Sequence, residues 1–106
     1  IRVQAEAYYL RALDLDSGYR ECLYALAVLY VFELSEPAEA EEYLDRLLDI
    51  DPGNIRAQFL KARMLVELGR IEEAADLYGE IADEAPTREQ RSRALENRNQ
   101  LLERSN

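Results

Sequence analysis

The chain of 106 residues has no histidine and no tryptophan, one cysteine, four glycines and three prolines. Without histidine it lacks the commonest catalytic base and metal ligand. Cys22 has no second cysteine with which to form an internal disulfide. The scarcity of glycine and proline leaves few turns, and the abundance of alanine, leucine, glutamate and arginine favours helices. No apolar stretch approaches the roughly 18 residues that a membrane-spanning helix needs.

Positive charge is scarce over most of the chain. The formal net charge is −9. Residues 1–86 hold 19 Asp and Glu against 8 Arg and Lys, whereas residues 87–106 hold 3 against 5. Because an acidic body repels phosphate backbones and anionic lipids, we expect neither nucleic-acid binding nor attraction to anionic membrane surfaces. The absence of a long apolar stretch leads us to expect no membrane insertion. The composition indicates no particular cellular compartment.

The residues that remain do not assemble a catalytic pattern. A catalytic triad needs a base such as histidine, and the glycines do not cluster into a phosphate-binding loop. Cys22 lies in an apolar stretch, which is typical of a buried small side chain. Residues 14–18 and 49–53 resemble a calcium loop, but their glycine comes one position early, so we interpret Asp16 and Asp51 as helix caps. We therefore expect no enzymatic activity, no cofactor and no metal.

A repeat with offsets of 35 and 34 residues organises the chain. In each copy a small residue is followed four positions later by a bulky residue, and three positions beyond that by another apolar residue. These spacings place the three side chains on one face of a helix. The three sets are Ala5, Tyr9 and Ala12; Ala40, Leu44 and Leu47; and Ala74, Tyr78 and Ile81. Between them, Ala27 with Tyr30 corresponds to Ala62 with Leu65.

This pattern predicts helices over residues 2–16, 20–34, 36–50, 54–68, 71–84 and 88–104. Pro37 suits the first turn of the third helix. Thr87 and Gln90 have the spacing of a capping box at the start of the last helix. One additional residue near Phe32–Glu33 predicts a bulge at the end of the second helix. Most of the seven tyrosines are expected to pack between helices.

The repeat unit resembles the tetratricopeptide repeat. The resemblance rests on a helix–turn–helix period of 34, Gly-Arg-Ile-Glu-Glu-Ala at residues 69–74 and Asp-Pro-Gly-Asn at residues 51–54, and it covers residues 1–88. Ser35 replaces the usual turn glycine, and Lys61 replaces an apolar residue. The resemblance implies an all-α, right-handed solenoid of antiparallel helix pairs, with about five helices and a C-terminal capping helix.

We expect a single domain. It comprises the second half of a truncated repeat at 1–19, repeats at 20–54 and 55–88, and a capping helix at 89–106. The resemblance implies a non-enzymatic interaction module that binds a peptide or protein segment on its concave face. The alternatives are an architectural or oligomerisation segment of a larger repeat protein, and a small secretion-type chaperone.

The concave face of such a solenoid is built from the first helix of each repeat. The resemblance maps the candidate groove onto Tyr24, Val28, Arg56, Phe59, Leu60, Arg63, Arg93 and Asn97, with Glu21, Ala25 and Gln90 beside them. The lysines and asparagines with which family members clamp a C-terminal carboxylate are absent from the equivalent places. An apolar floor flanked by arginines favours a partner with an apolar anchor and adjacent acidic residues. The alternative is that the arginines are solvated and paired with Glu21, Glu67 or Glu89.

The first element matches only the second helix of a repeat. Its apolar residues Ile1, Val3, Tyr8 and Leu10 would then include uncovered surface. We expect this face to be covered by an upstream helix of a longer array, or by a second copy in a homo-oligomer formed through the N-terminal helix. In the second case light scattering at about 100 µM, well above a typical micromolar affinity, gives a mass greater than one chain. A monomer at that concentration contradicts self-association.

Overall fold

The computed structural model describes residues 4–104, and the regular structure in this range is entirely helical. The six helices are α1 (Gln4–Leu15), α2 (Arg20–Val28), α3 (Pro37–Ile50), α4 (Ile55–Glu67), α5 (Ile71–Glu84) and α6 (Arg88–Arg104). Short turns join them, so consecutive helices pack side by side as antiparallel neighbours. The result is an elongated stack measuring 41 × 29 × 18 Å. The predicted all-α solenoid is thereby confirmed. Within the described range, no helix is both long enough and apolar enough to span a bilayer.

Helix α2 runs directly into a π-helical turn, Leu29–Glu33, which we call the π turn. A π-helical turn is a common way for a helix to take up one additional residue. The Leu34 N–H donates a hydrogen bond of 2.9 Å to the carbonyl of Leu29, five residues earlier, which is the spacing of a π-helix. The bulge predicted near Phe32–Glu33 is this turn, although it begins earlier, at Leu29. The side chain of Phe32 is left 53% exposed, while the three residues before it stay buried.

Close helix packing depends on alanines that have no exposed surface. Ala27, Ala40, Ala62 and Ala74 are each 0% exposed. The bulky partners predicted beside them fill the space between helices: Tyr30, Leu44, Leu65 and Tyr78 are buried.

Ala5 departs from this pattern, because it is exposed. Ala5 borders a hollow of about 350 Å³ that is also lined by residues of α2 and the π turn, so the close helix approach expected at Ala5 is not formed. On the same helix Tyr8 is 69% exposed and Leu10 is half-buried. The other two apolar residues singled out there, Ile1 and Val3, lie outside the described residues.

Polar side chains also join neighbouring helices. The Tyr30 hydroxyl in the π turn donates a hydrogen bond of 2.6 Å to the buried carboxylate of Glu6 in α1. Lys61, which replaces an apolar residue of the repeat pattern, places its Nζ 2.8 Å from Oδ1 of Asp45. At this position of the repeat, α3 and α4 are therefore joined by an ion pair.

Aspartates 16 and 51 brace turns instead of capping helices. Asn54 is the N-cap of α4, and its Oδ1 accepts a hydrogen bond of 3.0 Å from the Ala57 N–H. Asp51 supports it by accepting one of 3.3 Å from the Asn54 amide. Asp16 accepts from the Gly18 N–H at 3.1 Å. The interpretation of the two aspartates as helix caps is therefore wrong, because each lies too early in its turn to reach the free N–H groups of the next helix.

The starts of α3 and α6 follow the predicted chemistry. Pro37 is the first residue of α3, where its missing N–H costs no helical hydrogen bond. At α6, Thr87 Oγ1 accepts from the Gln90 N–H at 3.1 Å, and Gln90 Oε1 accepts from the Thr87 N–H at 3.3 Å. This reciprocal pair satisfies two backbone donors that would otherwise lack partners within the helix.

The turns that follow the π turn and α4 both contain a residue in the left-handed region. Gly69 has φ 76° and Ser35 has φ 51°. This conformation costs an L-residue about 1–2 kcal/mol, whereas glycine adopts it freely. A Cβ placed on Gly69 would meet nothing within 4 Å. A substitution there therefore tests the backbone conformation and not packing.

We expect Ser35→Gly to raise the free energy of unfolding and Gly69→Ala to lower it, each by about 1 kcal/mol. Urea denaturation of the two variants beside the parent measures both changes. Gly53→Ala is the matched control, because a Cβ there also meets nothing within 4 Å and the backbone is not left-handed. Destabilisation by Ser35→Gly would contradict the view that backbone strain at this turn lowers the stability of the parent.

Candidate functional site

A cavity of about 430 Å³ lies where α2 with its π turn, α4, α5 and α6 meet, and we call it the central cavity. Its lining residues are Tyr24, Phe32, Ile55, Arg56, Phe59, Leu60, Arg63, Tyr78, Gln90, Arg93 and Asn97. Helix α4 supplies the floor, because residues 56, 59, 60 and 63 recur at the helical spacing that places them on one face. The other helices contribute the walls.

Most of the predicted groove residues come together around this cavity. Seven of the eight line it, and Gln90 lines it as well. Val28 does not: it lies in a neighbouring hollow of about 350 Å³ that also has Tyr24 and Arg56 in its lining. The expected continuous floor from Tyr24 through Val28 is therefore divided. Leu60 is 5% exposed, so it underlies the cavity more than it presents a surface.

Three cavity residues were not among the predicted groove positions: Phe32, Ile55 and Tyr78. Tyr78 was predicted to pack between helices, and its buried ring lies 6.2 Å from that of Phe59, centroid to centroid. It serves the core and the cavity together, which the repeat pattern did not indicate. Phe32 reaches the cavity through the π turn. The additional residue near it signalled a distortion but not the direction in which the ring would point.

Each arginine of the central cavity lies against an aromatic ring. The distances from the guanidinium carbon to the ring centroid are 4.3 Å for Arg56 and Tyr24, 4.8 Å for Arg93 and Phe59, and 5.7 Å for Arg63 and Phe32. A cation–π contact orients a guanidinium and leaves its charge unneutralised. Stacking on a ring therefore does not by itself stop an arginine from pairing with a negatively charged group.

The three arginines differ in their acidic neighbours. Arg63 Nε lies 2.9 Å from Oε1 of Glu67, one helical turn away. Within residues 4–104, no carboxylate approaches Arg56 or Arg93 to within 4.0 Å. Of the predicted pairings with Glu21, Glu67 and Glu89, the described structure forms the one with Glu67.

The central cavity is consequently a positive region of an acidic protein. In the described part of the chain its lining holds three arginines and no aspartate or glutamate, while the chain carries a net charge of −9. Charge concentrated in a concave site attracts ligands of opposite sign.

Cys22 lies outside this site and is buried. Burial raises the pKa of its thiol, and the nearby Glu21 and Asp16 carboxylates raise it further. The thiolate is the nucleophilic form of cysteine. The surroundings of Cys22 therefore suit a packed side chain and not a nucleophile.

Tyr78 is the titratable group most firmly built into the cavity wall. Burial raises its pKa, while Arg63, Arg93 and Asn97 act in the opposite direction. Because the raised pKa belongs to the folded state, the unfolded chain ionises first. The stability that the neutral Tyr78 contributes is fully present below the pKa of tyrosine in the unfolded chain, about 10. It is lost as the pH rises through the pKa of Tyr78 in the folded protein.

We expect the free energy of unfolding to fall as the pH rises above about 8.5, where Cys22 ionises first in the unfolded chain, and to fall more steeply above about pH 10. The decline above about pH 10 is less steep in Tyr78→Phe, but it is not abolished, because burial also raises the pKa of Tyr43 and of Cys22. Urea denaturation at a series of alkaline pH values measures both slopes. Identical slopes in the parent and the variant would contradict the view that ionisation of Tyr78 contributes to the loss of stability.

Comparison with known proteins agrees with this architecture. Two family models described as tetratricopeptide repeat match the chain, one over residues 31–98 and the other over residues 4–55. The human protein O-mannosyl-transferase TMTC3 is 34% identical over 70 residues, which is 65% of this chain and 8% of that protein. The chain therefore spans a small part of the curated relative that it matches. The repeat period, the stacked helices and the family matches lead to one conclusion: this chain belongs to the tetratricopeptide repeat family.

Proposed function

We propose that the chain is a non-enzymatic interaction module that binds a peptide segment in the central cavity, through an apolar anchor and adjacent acidic residues. Tetratricopeptide repeats generally mediate protein–protein interactions, and two models of that family match this chain. One observation supports the proposal above the others: the cavity lining within residues 4–104 combines three arginines with no carboxylate. The transferase activity in the name of the human relative is not part of this proposal, because the match covers 8% of that protein.

The cavity can receive an apolar side chain. Its volume of about 430 Å³ falls in the range of about 300–1,000 Å³ that is usual for small-molecule sites. Phe59 and Tyr24 present half-buried rings to it. Burying an apolar anchor against such rings removes apolar surface from water on both partners, which is the main driving force of association.

The arginines supply the charge selectivity. Because the chain as a whole carries a net charge of −9, the arginines of the cavity concentrate the attraction for an acidic segment at this place. Complementary charge of this kind raises the association rate and excludes partners of the wrong sign. A basic or strongly polar segment would gain neither advantage in the cavity.

Selection from a phage-displayed library of random peptides tests the proposal with no partner identified beforehand. The parent protein is the target, and the double variant Phe59→Ala/Arg56→Gln is used for counter-selection. We expect the enriched peptides to carry an aromatic or large aliphatic residue next to aspartate or glutamate. Failure to enrich any peptide that distinguishes the two proteins would contradict the proposed function.

For an enriched peptide, we expect Phe59→Ala to weaken binding by roughly 5- to 150-fold, which corresponds to the 1–3 kcal/mol of a central aromatic contact. Calorimetric titration measures the affinity, and circular dichroism confirms that the variant is folded. Arg46→Gln is the matched control: Arg46 stacks on Tyr43 at 5.4 Å and pairs with Glu42, but it lies on α3, away from the cavity. A folded Phe59→Ala protein that binds like the parent would rule out the central cavity as the binding site.

A further inference from the structure

The two arginines without a nearby carboxylate stand at different helix boundaries. Arg56 of α4 stacks on Tyr24 of α2 at 4.3 Å, so this contact spans the boundary between α2 and α4. Arg93 of α6 stacks on Phe59 of α4 at 4.8 Å, so this contact spans the boundary between α4 and α6. A segment that crosses these helices in order therefore meets one such arginine on each side of the α4 floor.

Arg63 is placed differently. The Nε–H of Arg63 donates a hydrogen bond of 2.9 Å to the Glu67 carboxylate, whose negative charge offsets the charge of Arg63. Its guanidinium lies 5.7 Å from the ring centre of Phe32. Both of these Arg63 contacts are made within the protein, to Glu67 and to Phe32.

Phe32 owes its position to the π turn. It is 53% exposed although it is a large apolar residue, and it lines the central cavity. An exposed aromatic ring at a cavity edge offers contact area to a ligand at low entropic cost. With Arg63 beside it, the Phe32 ring forms an aromatic wall of the central cavity. The π turn, which takes up the additional residue, places the ring there.

We infer that Arg56 and Arg93 recognise acidic residues on both sides of the apolar anchor of a peptide, and that Arg63 instead positions Phe32 as an aromatic wall for that anchor. This inference rests on the proposed function and adds the order of residue types along the peptide: acidic, apolar, acidic. Arg56 and Arg93 contact the ligand's carboxylates, whereas Arg63 is a positioning residue that acts through the Phe32 ring.

Two fluorescein-labelled peptides serve as probes, Gly-Asp-Glu-Phe-Asp-Glu-Gly and its neutral counterpart Gly-Asn-Gln-Phe-Asn-Gln-Gly. Fluorescence polarisation gives their affinities at low and moderate salt concentration for the parent, Arg56→Gln, Arg93→Gln, Arg63→Gln and Phe32→Ala. Phe32→Leu tests whether an apolar side chain restores the wall, and Arg46→Gln is the control for loss of a stacked arginine elsewhere.

We expect Arg56→Gln and Arg93→Gln each to weaken the acidic peptide about fivefold or more and to reduce its salt dependence. The neutral peptide changes by less than about twofold in the same two variants. Phe32→Ala weakens both peptides by similar factors and leaves the salt dependence unchanged. Arg63→Gln also weakens both peptides, and it reduces the salt dependence less than Arg56→Gln does, because Glu67 already offsets the charge of Arg63 in the parent. Phe32→Leu recovers part of the affinity, and Arg46→Gln matches the parent.

Two results would overturn the inference and leave the proposed function intact. The first is that Arg63→Gln reduces the salt dependence as strongly as Arg56→Gln. The second is that the parent does not bind the acidic probe more tightly than the neutral one, while library selection still yields peptides that need Phe59. If selection yields no such peptide, the proposed function fails, and the inference fails with it.

Discussion

The structure depends on the close approach of helices at buried alanines. Ala27, Ala40, Ala62 and Ala74 lie on α2, α3, α4 and α5 respectively, and none has exposed surface. Without a larger side chain at these points, each helix lies against the next and shares its apolar face with it. The stacking of these helices brings residues of α2, α4, α5 and α6 together around the central cavity.

Most of the ion pairs among residues 4–104 lie away from the central cavity. Arg70 pairs with Glu41 and Glu73, at 3.0 and 2.7 Å, and links α3 to α5. The hydrogen bond from Arg70 lowers the pKa of Glu73, as expected for a carboxylate held beside a guanidinium. Arg46 and Lys61 also have carboxylate partners. In contrast to these paired cations, Arg56 and Arg93 of the central cavity have no carboxylate within 4.0 Å among residues 4–104, so their charge is available to a ligand.

Much of the fold was predictable because its signals are local. Apolar spacing, Pro37 and the Thr87–Gln90 capping box act within a few residues, so the predicted helices agree closely with the observed ones. Asp16 and Asp51 were misinterpreted because the choice between bracing a turn and capping a helix depends on a shift of a few residues. The burial of Glu6 against Tyr30 depends on contact between residues far apart in sequence, which no local pattern encodes.

The cavity was predictable where it follows helical spacing and not elsewhere. Arg56, Phe59 and Arg63 share a face of α4, so their convergence followed from the repeat pattern. The repeat pattern could not place Phe32, because the path of a π turn is decided by which residues its neighbours bury. Nor could it show that Val28 lies in a separate hollow from Phe59, since that depends on the side-chain packing of Tyr24 and Arg56.

Binding of an acidic segment at the arginines of the central cavity can be observed by a ¹⁵N-resolved NMR titration of the whole chain with the acidic peptide, following backbone amides and arginine Nε–H groups together. If the peptide binds there, the Nε–H signals of Arg56 and Arg93 shift, along with amides of α2, α4 and α6 that face the cavity. Shifts centred on α3, or on Arg46, with the signals of Arg56 and Arg93 unchanged, would contradict binding at this place.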